Sequence, residues 1–317
     1  MIKPLLSIKR RKMTKTPVLI TFFNRPDNLS KLLIAISPRM DLDFYFAADG
    51  PRHSEDKQLI DQCWQLIAKY LPEHKESKSL KRESNLGCKF AMKGNIDWFF
   101  SQVEFGIILE DDCIPNSDFF DVTIPALHTF DDRKDIFGIS GSDYIKSDES
   151  PTEISFRLSR FPMVWGWATW SDRWDNYKVE IPDGDEITKI TAERLFSNKI
   201  NPRYWFFRNV FRRRFLEVEK GIIDTWDYSL VATLWRQDMK FLQLNGNSVV
   251  NVGFDHRATH TTGRAPDWVP VAYSRNIAKN LDVSNYNSSN DLWLITNVFN
   301  CTLNEVIKNL LKGILIR

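Results

Sequence analysis

Apolar and polar residues alternate in blocks along the first third of this 317-residue chain. Thr16-Pro-Val-Leu-Ile-Thr-Phe-Phe is an apolar run that breaks at Asn24-Arg-Pro-Asp-Asn28. Asp43-Phe-Tyr-Phe-Ala-Ala is a second, ending at Asp49-Gly50, and Ile107-Ile-Leu is a third, ending in Glu110-Asp111-Asp112. Short apolar runs bounded by turn residues read as buried strands. Between them, apolar residues recur at helical spacing. A first helix is expected over Asp27 to Ile36, entered through the Asn24 turn. A second is expected over Glu55 to Tyr70, with Leu59, Ile60, Cys63, Trp64, Ile67 and Ala68 on its apolar face. Leu80 to Glu83 suits a short strand, and Lys89 to Phe100 a third helix leading into a strand at 106–110. This rhythm predicts an α/β fold: a mostly parallel central sheet with helices on both sides.

After about residue 150 the rhythm changes. Phe161 to Trp174 is dense in tryptophan, and Pro182-Asp-Gly-Asp reads as a loop. Asn201 to Lys220 mixes aromatics with Arg203, Arg208, Arg212, Arg213 and Arg214. An amphipathic helix with a solvated basic side explains that run better than a nucleic-acid or membrane patch. Met239-Lys-Phe-Leu-Gln-Leu and Ser248-Val-Val-Asn-Val suit strands at the edge of a mixed sheet. Near the end, Leu303, Val306, Ile307, Leu310, Leu311, Ile314 and Leu315 repeat at helical spacing, with Lys308 and Lys312 on the other side. Such a stripe more often packs on its own protein, and the alternative is an anionic membrane surface.

Composition narrows the picture. Hydrophobic residues make up 43% and charged residues 26%, ordinary for a soluble globular chain with one large or two small domains. The net charge of +2 gives no argument for a nucleic-acid partner. Cys63, Cys88, Cys113 and Cys301 lack zinc-site spacing, and a reducing compartment is the default. The basic segment Met1–Lys12 has no signal-peptide apolar core, and no run reaches the ~18 apolar residues of a membrane span. A cytoplasmic location is expected, with peripheral membrane contact open through the basic N-terminus or the C-terminal helix.

The acids give the first chemical hypothesis. Adjacent ionised carboxylates repel, so Glu110-Asp111-Asp112 at a strand end calls for a cation. Oxygen-only ligands suit Mg²⁺ or Mn²⁺, which usually arrive with substrate phosphates. The plain alternative is a polar turn. Ligands of open α/β sheets bind outside the carboxyl ends of the strands, and three such ends here carry polar groups. The absence of Gly-x-Gly-x-x-Gly and of a Walker-type loop argues against the dinucleotide and P-loop versions of such a sheet.

Asn24-Arg-Pro-Asp-Asn, Ala48-Asp-Gly, Asn85-Leu-Gly-Cys-Lys89, Leu109-Glu-Asp-Asp112 and Trp165-Gly-Trp-Ala-Thr-Trp170 occur in this order. Together they resemble the nucleotide-diphospho-sugar transferases of the GT-A fold, nearest to bacterial glycosyltransferase-like proteins. A more distant likeness is to the inverting N-acetylglucosaminyltransferase I family. The resemblance covers roughly residues 16–262. It implies a nucleotide half over 16–150 and an acceptor half over 151–262, with a basic segment over 1–15 before it and an extension with an amphipathic helix over 263–317 after it.

The resemblance implies Asp112 as the direct metal ligand, with Glu110 and Asp111 shaping the nucleotide site and Asp111 near the ribose. Glu110 serves a purely structural hydrogen bond equally well. Arg25 would clamp phosphate oxygens, against the alternative of a surface arginine capping the first helix. Asp49 would accept the imide N–H of uracil, a use compatible with an Asp-Gly turn. Asn85 and Gly87 would let backbone approach the nucleotide, and Lys89 is a weaker phosphate candidate. Asp227, in Trp226-Asp227, would be the general base, with Asp224 as runner-up or as a cap for a helix beginning near Thr225. His260, with His256 as substitute, would reach the metal or diphosphate. Trp165, Trp167 and Trp170 offer an aromatic platform for the acceptor, though three tryptophans in six residues cannot all face one pocket.

The function implied is a metal-dependent, inverting glycosyltransferase using Mn²⁺ or Mg²⁺. It would move a sugar from a nucleotide-diphosphate donor, UDP-linked and UDP-GlcNAc by likeness, to a glycan acceptor in cell-surface polysaccharide synthesis. A sugar-1-phosphate nucleotidyltransferase would need a glycine-rich loop after the first strand, and Asn24-Arg-Pro-Asp-Asn has none. A non-catalytic carbohydrate-binding or membrane-surface protein would bind sugar without turning over a donor.

Overall fold

The computed structural model describes residues 15–145, 156–254, 265–274 and 280–315. His256, His260 and the basic segment before residue 15 lie outside the described residues. Among these residues, β1 (Thr16–Phe22) is buried along its whole length. It pairs in parallel with β2 (Leu42–Ala48) on one side and β4 (Phe105–Glu110) on the other. β3 (Ser79–Lys81) extends the sheet beyond β2. On the far side of β4 follow β8 (Trp167–Trp170), β6 (Ile136–Ser140), β9 (Lys240–Leu244) and β7 (Phe156–Ser159). β8 runs antiparallel to both neighbours, β7 runs antiparallel to β9, and β6 is parallel to β9. The eight-stranded sheet is therefore mostly parallel, with two reversed strands.

Helices cover both faces, as strand alternation requires. Val18, Ile20, Phe46, Ile107 and Leu109 point to the face covered by α1 (Pro26–Ile36), α2 (Ser54–Tyr70) and α4 (Ser117–Thr129). Leu19, Tyr45, Ala47 and Ile108 point to the opposite face, covered by α3 (Gly87–Phe100), α6 (Gly184–Leu195), α7 (Pro202–Glu219) and α8 (Asp227–Gln237). This second core also takes in Leu294 and Ile295 of α9 (Ser288–Asn297), so early and late segments share it. Local chemistry sets the helix starts. Pro26 begins α1, where a missing N–H costs nothing. Asn116 accepts the Phe119 N–H at 3.1 Å and caps α4.

Several expectations shift. β9 lies one strand inside the edge. β10 (Val249–Asn251) leaves the main sheet and pairs with β5 (Cys113–Pro115), just after the acidic turn. The tryptophan-rich run becomes β8 and the short α5 (Ser171–Trp174). The larger correction is α10 (Leu303–Leu315), whose Leu303, Ile307, Leu310 and Leu311 are exposed while Glu305 and Asn309 are buried. Of its apolar stripe, Val306 packs on the core while Leu303, Ile307, Leu310 and Leu311 face outward. No described helix is long and apolar enough to cross a membrane.

Candidate functional site

The sheet order reverses between β1 and β4. β1 is followed by β2 and β3 on one side, and the chain then crosses to add β4 on the other. A crevice opens at the carboxyl ends of strands at such a point. A cavity of about 910 Å³ lies there, lined by the segments after β1, β2 and β4. Arg25, Asp49, Asn85, Gly87, Glu110, Asp111, Asp112, Trp165, Asp224 and Asp227 all line it. Lys89 and Trp167 do not.

The floor is electrostatic. β4 ends on Glu110, and the turn Asp111-Asp112 follows. Arg25 Nη1 sits 2.8 Å from Asp112 Oδ2 and 4.0 Å from Asp111 Oδ1. Burial opposes the Arg25 charge, but Asp111, Asp112 and Glu110 outweigh it and raise the guanidinium pKa. Arg25 occupies the N-cap position of α1 yet makes no side-chain cap bond, so the surface-cap alternative fails. Asp112 Oδ1 also accepts from Asn251 Nδ2 at 3.3 Å, because β10 pairs Asn251 with Cys113. Gly253 follows, and a Cβ there would lie 2.1 Å from Asp112 Oδ2 and 3.0 Å from Arg25 Nη1. Only glycine lets that backbone lie against the ion pair.

Glu110 behaves differently from its neighbours. Among the described residues its carboxylate has no hydrogen-bond partner. Burial, then the charges of Asp112 and Asp111, push it up to about 8. That proton belongs to the acidic cluster as a whole. The donors here are hard carboxylate oxygens. No three His, Cys, Asp or Glu side chains among the described residues form a cation cage. The set fits Mg²⁺ or Mn²⁺ held by one or two carboxylates with the remaining oxygens from a phosphate substrate. His260 lies outside the described residues.

Asp49 has a different task from the one expected. Its two oxygens accept from the N–H groups of Gly50, Leu86 and Gly87 at 2.8–3.2 Å and from Asn85 Nδ2 at 2.8 Å. A carboxylate has about four lone-pair sites, so none is left for a nucleobase imide. Burial raises its pKa, opposed by those N–H bonds. Asn85 is equally committed, through Asp49, Gly50 O and the Gly87 N–H. Gly87, at φ +78°, makes its close approach to Asp224, whose Oδ2 lies 2.6 Å from the site of an added Cβ. Asp224 accepts from Cys88 N at 2.8 Å and Lys89 N at 3.0 Å. It caps α3, not the helix near Thr225, and both its oxygens are used. Lys89 contributes this backbone N–H and turns its ammonium over Phe90.

Asp227 opens α8 on the cavity wall. Its Oδ1 takes the Thr225 hydroxyl at 2.6 Å and the Tyr228 N–H at 2.7 Å. Its Oδ2 has no hydrogen-bond partner among the described residues. Trp226 anchors this turn in the core, stacked 5.7 Å from Trp167. Trp167 is therefore a core residue, fully buried between Trp226, Trp174 and Phe241, and the acceptor expectation fails for it. Trp170 is also buried, its indole donating to Leu127 O.

Of the three tryptophans in that run, Trp165 is the one that lines the cavity. Trp268 stacks on it at 5.9 Å, Tyr144 lies 4.8 Å away and Phe254 meets it edge-on at 5.7 Å. Sequence reasoning missed these three partners, and also Arg52, Asn251 and Gly253. Arg52 had a positional signal three residues after Asp49. It pairs with the buried Asp56 at 2.7 Å and, with Asn24, holds that acid down at about 2.

Fold and site define a class: a mixed α/β protein with an acidic, arginine-paired cavity at the switch point of a mostly parallel sheet. Compared with known proteins, the chain matches no family model and no curated relative.

Proposed function

We propose that the chain is a GT-A type glycosyltransferase that transfers a sugar from a nucleotide-diphosphate donor, a UDP-sugar by the sequence likeness, to a glycan hydroxyl. One observation carries this reading. Arg25 and the Asp111-Asp112 turn meet at the switch point, on the floor of a cavity whose walls carry Asp227 and an aromatic cluster. A divalent ion held at Asp112 would supply charge neutralisation to a departing diphosphate. Arg25 lines the same cavity, so phosphate oxygens and Asp112 compete for one guanidinium. Asp227, with one oxygen uncommitted among the described residues, serves as the base that takes the acceptor proton. A single displacement of this kind inverts the anomeric configuration. Trp165 and Trp268 offer flat faces to the acceptor sugar. The cytoplasmic face of a membrane is the location consistent with a nucleotide-sugar supply.

The test is hydrolysis of a panel of sugar nucleotides without acceptor, with Mn²⁺, Mg²⁺ or chelator. Turnover should require metal and fall by ~10²-fold or more in Asp112→Asn, the scale of losing one electrostatic stabiliser. Metal-independent turnover, or none with any donor while sugars still bind, would overturn the reading in favour of other chemistry or a carbohydrate-binding role.

A further inference from the structure

The C-terminal helix is built inside out. Glu305 lies 3.4 Å from Arg214 of α7, Arg213 donates to Asn309 O at 3.1 Å, and Asn309 Nδ2 donates to Asn209 at 3.3 Å. These pairings run in opposite directions along the two helices, so α10 lies antiparallel on α7. These polar contacts, with Val306 packed on the core, hold it in place. Leu303, Ile307, Leu310 and Leu311, between 46% and 58% exposed, form its outer face. Burial of an apolar stripe normally fixes a surface helix, and here four of its residues are left outside.

α7 continues the same character. Trp205 and Leu216 are exposed, and with Arg212 they follow helical spacing on one face beside Asn209 and Arg213. The Trp205 indole donates to Lys199 O at 2.9 Å, which sets it beside the exposed Ile200. The side chains of Arg212 and Lys308, 61% and 64% exposed, flank this surface.

We infer that the outer face of α7 and α10 docks on an anionic lipid bilayer, with α10 lying in the headgroup plane. An apolar stripe flanked by cations with an exposed tryptophan is the arrangement that interfacial helices use. Charge complementarity selects this occupant over a second copy of the chain. Arg208 and Arg212 share the carboxylate of Asp185, and Arg213, Arg214 and Lys308 share those of Glu217 and Glu305, so cations outnumber the acids they pair with on this surface; two like copies would repel, whereas anionic headgroups are attracted. Val298 and Phe299 line the cavity and precede α10 by only a few residues, about 14 Å of chain at most. Docking therefore brings the rim of the cavity to the bilayer.

The experiment is flotation of the full chain with vesicles of phosphatidylcholine alone or mixed with phosphatidylglycerol. Wild type should float with the anionic vesicles and much less with the neutral ones. Leu310→Ser with Leu311→Ser changes only exposed positions, so melting should be unchanged while vesicle partitioning falls at least about tenfold. Arg212→Glu with Lys308→Glu should remove the preference for anionic lipid. Wild type failing to float, or the serine variant floating equally, would overturn the inference. So would a concentration-dependent dimer in sedimentation velocity that the serine variant abolishes. Donor hydrolysis in solution reads the cavity separately, so either proposal can fail alone.

Discussion

The cavity has two unlike sides. On the floor, Arg25 follows β1 and Glu110, Asp111 and Asp112 close β4, its parallel neighbour, which sets the Arg25 guanidinium 2.8 Å from Asp112 and 4.0 Å from Asp111. On the wall, Tyr144, Trp165, Phe254 and Trp268 come from four separate segments and interact through ring faces and edges. The floor is held by backbone geometry, since strand ends cannot move without the sheet. The wall is held by mutual stacking at the ends of loops. A charged leaving group and a neutral sugar need these two kinds of surface respectively. On the proposed reading, one cavity would divide binding between a charged side fixed by the sheet and an apolar side built from loops.

The sharpest way to break this division is at the residue between the two sides. Asp227→Asn keeps the shape and the Thr225 contact but cannot accept a proton. Transfer should drop by ~10²–10⁴-fold, the usual worth of a positioned base. Affinity for UDP with metal, measured by calorimetry, should stay near wild type. Transfer at the wild-type rate would move the base elsewhere. Asp224 would not replace it without giving up its cap on α3.

The floor can be disturbed without touching a charged residue. Gly253→Ala places a methyl where Asp112 Oδ2 now lies, at 2.1 Å. A side-chain oxygen can give way, so the protein should fold with nearly the same melting temperature. A displacement of about 1 Å at a reacting site costs ~10²-fold. Metal-dependent turnover should fall by about that much, and acceptor KM should hold. Unchanged turnover would show that the position of Asp112 does not matter to the chemistry.

The wall should respond in the opposite sense. Trp268→Ala removes the ring stacked on Trp165. Acceptor KM should rise about tenfold, as loss of a packed aromatic contact worth ~0.5–1.5 kcal/mol plus its area allows. Donor hydrolysis without acceptor should be unaffected. A change in donor hydrolysis alone would place the donor, not the acceptor, on the wall.

The same contrast explains what could be read from the chain. The floor was legible because each member ends an apolar run, and strand ends gather where the sheet order reverses. Helices α1, α2 and α3 followed from spacing to within two residues at their ends. The wall was not legible, because Tyr144, Phe254 and Trp268 share no local pattern with Trp165. Trp167 was misread because β8 is buried on both faces, so Trp167 and Trp170 enter opposite cores, while Trp165 lies before the strand, ahead of Gly166 at φ +68°. Asp49 and Asp224 were misread for another reason. A carboxylate beside free backbone N–H groups is taken up by them, and those donors become visible only in three dimensions. The stripe of α10 was legible as a pattern, but its direction depended on Arg213 and Arg214 capturing its polar side.

The smallest effect concerns Glu110 and the protein's stability. An ordinary glutamate titrates at 4.5, and burial beside Asp112 and Asp111 pushes this one up to about 8. Between those values the folded chain holds a proton that the unfolded chain has released. Stability contributed by that proton is complete below 4.5 and is lost as pH rises toward 8. With chelator present, the wild-type melting temperature should therefore fall between pH 5 and pH 8. Glu110→Gln keeps the shape without the titration, so its decline should be shallower by about 2 °C. Divalent metal should reverse the sign at high pH, because an ionised Glu110 is then opposed by a cation and not by two carboxylates. Scanning calorimetry across that range reads both slopes. Equal slopes in the two proteins would mean that Glu110 is already ionised at pH 5, and that Arg25 alone balances the acids on the floor.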